Sequence, residues 1–336
     1  MNELEKKLLS SSFSHIYIEK EAVNYPLTKR ILEKFPNSNV IEVDIYKEIF
    51  SKGNQNFIIQ KKSPKLILAV KKESYLYEGA KVCESFGNNN FYYTSSVMNC
   101  VYDCEYCYLQ GVYTSANIVI FVNIEDCFRE IEKILQEKSM YICISYDTDL
   151  LALEGVTGLV EQWYEFVRKN KKLKIELRTK SSNIKVLKNL EPADNFILAW
   201  TLSPKEFTMQ YEKGTAVLEQ RLKAANEMLE KGWKVRVCFD PVIYMKNFEE
   251  EYGELIKKTF KELSPEKILD ISIGTFRISK EYLKRMRKSR GSSEVLSYPF
   301  FCENGVYSYY PQHINKMMNF MRKEVKKYIE DEKIFI

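Results

Sequence analysis

Cys100, Cys104 and Cys107 are spaced C-x3-C-x2-C inside the run Tyr93-Thr-Ser-Ser-Val-Met-Asn-Cys-Val-Tyr-Asp-Cys-Glu-Tyr-Cys-Tyr-Leu-Gln-Gly111. Closely spaced thiolates are the ligands of iron–sulfur clusters, and a [4Fe–4S] cluster normally takes four of them. A set of three leaves one iron open to a further ligand. An open iron is a place for chemistry as well as for an electron. Structural zinc prefers four protein ligands, and the histidines, His15 and His313, are both far from the triplet in sequence. Zinc completed by a distant cysteine, or three plainly buried thiols, stand as the alternatives at this point.

Composition narrows the setting. No stretch approaches a membrane span, and the start, Met-Asn-Glu-Leu-Glu-Lys-Lys, lacks the apolar core of a signal peptide. A cytoplasmic protein is expected. In that reducing compartment eight cysteines argue for metal binding, catalysis or burial rather than disulfides. The net charge of +5, from 51 basic and 46 acidic residues, is too mild to predict nucleic-acid binding by itself. Basic clusters at 169–174, 180–188 and 280–290 read one by one as solvated helix faces. The 23 tyrosines suit surfaces that stack bases or hold a polar cofactor, and an AT-rich coding genome explains them equally well.

The elements that must position the triplet alternate in type. Strands are expected at 91–97, 140–145, 173–178, 196–202, 235–242 and 268–273, and helices at 126–138, 156–169, 182–190, 215–231 and 247–263, with a short apolar run at 117–122. This rhythm predicts an α/β fold built of parallel βα units, about six of them, hence a partial (β/α)6 barrel. Active sites of such folds gather at the C-terminal ends of the strands. The triplet follows the first strand. Asp147, Thr148 and Asp149, then Arg178, Thr179 and Lys180, then Thr201 and Ser203, Asp240, and Gly274, Thr275 and Arg277 follow later ones. Three regions result: an N-terminal α/β extension over 1–90, the barrel over 91–278, and a C-terminal region over 279–336 with a basic helix, an aromatic hairpin and a final helix at 312–328. In the extension, strands are expected at 15–18, 39–45 and 65–70 and a helix at 27–34. The polar stretch 52–64 is expected to be a loop.

With Tyr106 directly before the last cysteine, the motif C-x3-C-x-aromatic-C after a first strand resembles the radical S-adenosylmethionine superfamily. Further segments resemble the spore photoproduct lyase family over roughly 90–330: Cys104-Glu-Tyr-Cys-Tyr-Leu-Gln110, Asp149-Leu-Leu-Ala-Leu-Glu-Gly-Val-Thr-Gly158, Arg178-Thr-Lys180, Phe239-Asp-Pro-Val-Ile-Tyr244, Gly274-Thr-Phe-Arg-Ile278 and Gly305-Val-Tyr-Ser-Tyr-Tyr-Pro311. The resemblance implies a radical-type partial barrel and a DNA-repair lyase. Its substrate would be the thymine dimer 5-thyminyl-5,6-dihydrothymine, reversed to two thymines through a 5′-deoxyadenosyl radical made from S-adenosylmethionine at a [4Fe–4S] cluster. It also implies UV-damaged double-stranded DNA as partner, a reducing protein such as flavodoxin or ferredoxin, a monomer, and a place in the spore core.

The same resemblance assigns roles. Cys100, Cys104 and Cys107 are cluster ligands, and Tyr106 and Tyr108 are placed for cofactor contact and radical relay. Lys180 meets the S-adenosylmethionine carboxylate. Thr148 and Thr201 stand where the family often has cofactor-binding serines, and Ser203 and Asp240 are grouped with them at the cofactor. Arg277, Tyr307 and Tyr309 are expected at the lesion or the DNA backbone. One position departs: Tyr146 stands where the family commonly carries a hydrogen-donor cysteine. Strand alternation would put Cys143 on the face opposite Tyr146. Cys83, among polar neighbours, is the expected donor. The alternatives are a related radical enzyme of unknown substrate, or a nucleic-acid-binding protein with a structural metal site.

Overall fold

Apolar runs with no in–out alternation form the central strands of two sheets. Ile118–Phe121 and Leu66–Ala69 are buried at every position, as strands covered on both faces must be. They neighbour each other in a five-stranded sheet ordered Asn39–Val43, His15–Glu19, Leu66–Ala69, Ile118–Phe121, Val97–Met98, parallel except for the last. The computed structural model describes residues 13–80 and 83–336; the stretch 1–7, expected not to be a signal peptide, lies outside them.

The second sheet carries six parallel strands side by side in chain order: Phe91–Thr94, Met140–Cys143, Leu173–Thr179, Phe196–Thr201, Lys234–Val242 and Asp270–Thr275. Leu76–Glu78 pairs antiparallel at one edge and Ile334–Phe335 parallel at the other. The sheet stays open. Each crossover presents an apolar face to it. On Ile124–Glu137 the buried positions Ile124, Cys127, Ile131 and Leu135 recur at helical spacing. Helix Leu159–Lys169 brings Trp163 edge-on to Phe128, with ring centroids 4.9 Å apart. Helices Leu218–Lys231 and Phe248–Glu262 cover the later strands. Among the described residues no helix is long and apolar enough to cross a membrane.

Three expectations change. The strand expected over 91–97 ends at Thr94, and Val97–Met98 crosses to the other sheet. The apolar run at 117–122 joins that sheet too, so sheet membership does not follow the division at residue 90. The stretch expected as a loop over 52–64 contains helix Phe57–Lys62. Asn56 caps it by accepting from the Ile59 amide at 3.0 Å, and Phe57 is its buried anchor. The basic helix is Lys280–Ser289, the hairpin pairs Phe301–Glu303 with Val306–Ser308, and the last long helix is Pro311–Val325.

Candidate active site

The cysteine loop is held from several sides. Asp103–Cys104 pairs antiparallel with Glu212–Lys213. The Gln110 amide donates to the carbonyls of Cys104, Glu105 and Cys107 at 2.9, 3.2 and 3.3 Å. Arg290 binds both the Gln110 side-chain oxygen and Asp103. Gly111 lets the helix Leu109–Val112 lie directly on Lys280–Ser289, because a Cβ there would come within 2.6 Å of the Tyr282 Cα. Cys100, Cys104 and Cys107 thereby line one cavity of about 480 Å³. Burial pushes the Cys100 thiol up to about 12 and raises Cys104 and Cys107 as well. Thiolates are the ligand form, so a positive metal centre is the partner that offsets this burial. Among the described residues no three ligating side chains close tightly enough for a single ion.

Beside Cys104 sits a buried ionic knot. Glu212 is fully buried and pairs with Arg221, itself 0% exposed, and with Lys180 Nζ at 3.7 Å. It also accepts from the hydroxyls of Tyr106 and, at 3.0 Å, Ser203. Burial opposes its charge, but Arg221, Lys180 and these donors hold the carboxyl down at about 2. The Lys180 ammonium lies 5.1 Å over the Tyr106 ring and faces the cavity. Burial pulls against its charge, while Cys104 and Glu212 keep its pKa raised. The Lys180 amide and the Thr179 hydroxyl donate to Asp149 at 2.7 and 2.8 Å, which fixes the strand end.

The inner face of the parallel sheet is charged, and the charges alternate. Arg236, 1% exposed, pairs with Asp270 and Glu176 and is capped by the Phe86 ring, 3.2 Å from Cζ. Glu176 accepts from Arg178 Nε at 3.0 Å and from the Tyr141 hydroxyl at 2.7 Å. Arg178 and Arg277 each reach Asp240 at 3.3 Å. Two-residue alternation puts Glu176 and Arg178 on this one face. Every carboxylate meets a guanidinium, the condition on which a buried charge survives. Glu176 is held down at about 2 in this way, burial notwithstanding. Gly274 makes room for the outer pair, since a Cβ there would stand 2.8 Å from Asp240 Oδ1.

Cys83, half-buried, also lines the cavity and places its sulfur 3.9 Å from the Tyr146 hydroxyl. Tyr146 stacks on Tyr93 at 4.1 Å, and Tyr108 lies 5.7 Å away. The Tyr108 hydroxyl donates to the Tyr146 carbonyl at 2.7 Å and to Asp147 at 3.3 Å. Cys143 also lines the cavity. Strand Met140–Cys143 ends before Tyr146, so the alternation expected to separate their faces does not reach it. Cys143 is 7% exposed, its sulfur lies 4.0 Å from Glu176, and burial pushes it up to about 12.

The cavity therefore gathers the three cysteines of the triplet with Cys83, Tyr106, Tyr108, Thr148, Lys180, Thr201, Asp240 and Arg277. The buried Thr148 hydroxyl has no hydrogen-bond partner among the described residues and is available to a bound group. Three thiols, a charged ammonium and the Thr148 hydroxyl fit an iron–sulfur cluster that carries a zwitterionic ligand. Three expected residues lie elsewhere. Ser203 does not line the cavity, because its hydroxyl is committed to Glu212. Tyr309 is 2% exposed and accepts from the Tyr244 amide at 3.0 Å, so it is a core residue rather than a DNA contact. Tyr307 is half-buried in the hairpin, and its neighbour Val306 reaches the cavity instead. Glu212, Arg221, Glu176 and Arg236 were not expected. For Arg221, Glu176 and Arg236 the sequence signal is charge inside an apolar strand or helix face, and Glu212 carries none.

The spore photoproduct lyase family model matches residues 12–290. The spore photoproduct lyase of Clostridium acetobutylicum is 24% identical over 268 residues, which is 77% of this chain and 77% of that protein. That of Bacillus subtilis is 22% identical over 251 residues, 72% and 71% of the two chains. Among solved structures, spore photoproduct lyase complexed with dinucleoside spore photoproduct matches with a TM-score of 0.82 and 18% identity, over 96% of this chain and 97% of that one. A mutant spore photoproduct lyase with bound AdoMet and dinucleoside spore photoproduct matches at 0.80. At this identity the structural likeness shows the fold.

Proposed function

The chain belongs to the spore photoproduct lyase family, and we propose that it repairs UV-damaged DNA by reversing 5-thyminyl-5,6-dihydrothymine to two thymines. The observation that carries this reading is one cavity lined by the three cysteines, Lys180 and Cys83. When bound, a reduced [4Fe–4S] cluster and S-adenosylmethionine supply a 5′-deoxyadenosyl radical able to take a hydrogen atom from the dihydrothymine ring. Cys100, Cys104 and Cys107 hold the cluster. Lys180, kept charged and oriented by Glu212, receives the cofactor carboxylate, and Thr148 and Thr201 offer hydroxyls to its polar groups. Asp240 and Arg277 form the polar rim. The sheet acts as a partial (β/α)6 barrel with its site at the C-terminal strand ends.

Cys83 ends the reaction. Its S–H bond breaks as a C–H bond forms on the thymine radical, the thiyl left behind takes a hydrogen atom from the Tyr146 hydroxyl 3.9 Å away, and the tyrosyl radical is restored by the hydrogen atom that the 5′-deoxyadenosyl group took from the lesion. Tyr108 is next in that line, whereas Tyr106 is tied to Glu212 and serves the cofactor side. A lesion flipped out of the duplex enters beside helix Lys280–Ser289, whose exposed Lys280, Lys284 and Lys288 suit DNA phosphates. The protein works as a monomer in the cytoplasm of the spore core and takes its electron from a flavodoxin or ferredoxin.

The cofactor assignment is tested with Lys180→Ala. S-adenosylmethionine binding should weaken at least tenfold, about 1.4 kcal/mol, while iron content stays at the wild-type level. Loss of iron together with binding would make Lys180 a structural residue and remove it from the cofactor.

A further inference from the structure

Helix Phe57–Lys62, from the N-terminal region, touches the cysteine loop directly. The Lys61 ammonium donates to the carbonyl of Cys100 and, at 2.7 Å, to that of Tyr102. Its other contact is the Phe57 ring at 5.6 Å, and it makes no ion pair among the described residues. The helix is anchored for this reach. Phe57 is buried, and the Gln60 side-chain oxygen accepts from the Ala116 amide at 2.9 Å and the Ser115 hydroxyl at 3.2 Å on the chain returning from the loop. Of the other cations at the loop, Arg290 is paired with Asp103, Lys213 with Glu105 and Lys180 with Glu212, while Arg285 donates to the carbonyl of Gly111 at the loop's far end. Lys61 is therefore a whole positive charge held against the backbone of a cluster ligand.

We propose that Lys61 is a positioning residue that presets the cysteine loop and raises the reduction potential of the cluster held there. The inference rests on the reading that the triplet holds a cluster. Reduction adds an electron and makes the centre more negative, so a fixed cation nearby favours the reduced state. Net charge and hydrogen bonding around the sulfurs are among the variables that set such potentials. The two carbonyl contacts pull the Cys100–Tyr102 backbone toward one point, which removes freedom from the loop before metal arrives. This gives the N-terminal region a function in electron entry, apart from any contact with DNA.

The test is an anaerobic redox titration, followed by electron paramagnetic resonance, of reconstituted wild-type, Lys61→Arg, Lys61→Gln and Lys61→Met proteins, with iron and sulfide content measured alongside. Gln keeps a donor without the charge, and Arg keeps the charge. Reduction of the Gln and Met clusters should be at least tenfold less favourable, a negative shift of about 59 mV for a one-electron couple, and Arg should stay close to wild type. Iron loss to a chelator should be faster in Met than in wild type. Gln and Arg potentials that both equal the wild-type value would overturn the proposal. A wild-type protein that assembles no cluster signal would overturn the cluster reading itself, a distinct outcome.

Discussion

Glu212→Ala should destabilise the folded protein by about 3–5 kcal/mol, the cost of stranding one member of a buried ion pair. Arg221 would keep its charge at 0% exposure with its carboxylate gone, and Lys180, Tyr106 and Ser203 would lose a shared acceptor. The urea midpoint should fall on the order of 1 M or more. An unchanged midpoint would mean that solvent reaches Arg221 and that the knot is not structural. The same group predicts the acid limb. Glu212 and Glu176 are both held at about 2, below the ordinary 4.5. A depressed carboxyl contributes stability that is present above the unfolded value and lost as pH falls. The loss should therefore run from about 4.5 down to about 2, and it amounts to roughly 3 kcal/mol for each group. Glu212→Ala should flatten that limb, which separates this effect from general acid unfolding.

Cys83→Ala should cut the yield of repaired thymine dinucleotide on the order of tenfold or more, with cluster content and S-adenosylmethionine cleavage retained. The reacting radical would still form and would be quenched from solvent-borne donors, so side products should replace clean thymine. The competing thiol is Cys143, which lines the same cavity but lies deeper, against Glu176. Cys143→Ala separates the two. If it abolishes repair while Cys83→Ala does not, the donor is Cys143 and the assignment made from Tyr146 is wrong. Tyr146→Phe removes the hydroxyl that faces Cys83 and should slow turnover without changing the first product.

Much of the fold was legible because its strands are continuous apolar runs separated by amphipathic helices, as in Phe196–Thr201 and Leu218–Lys231. The triplet was legible because ligand spacing is local. What escaped was long-range. Nothing local says that Val97 leaves one sheet for another, or that Lys61 reaches Cys100 across 39 residues. Glu212 sits in an unremarkable Glu-Lys-Gly stretch, and its partners lie on other elements. The helix Phe57–Lys62 was hidden by polar composition, since its one buried anchor gives no periodic signal. Tyr309 is placed at the lesion or the DNA backbone by family resemblance alone, and nothing local in its sequence says that its hydroxyl turns inward to accept from the Tyr244 amide.

The most direct measurement is anaerobic incubation of the reduced, cluster-loaded protein with S-adenosylmethionine and the dinucleotide spore photoproduct, with products separated by chromatography. Thymine dinucleotide should appear as the lesion disappears, and it should fail to appear when Cys104 is replaced by alanine. Formation of 5′-deoxyadenosine alone, with the lesion intact, would contradict the lyase assignment and leave a radical enzyme acting on something else.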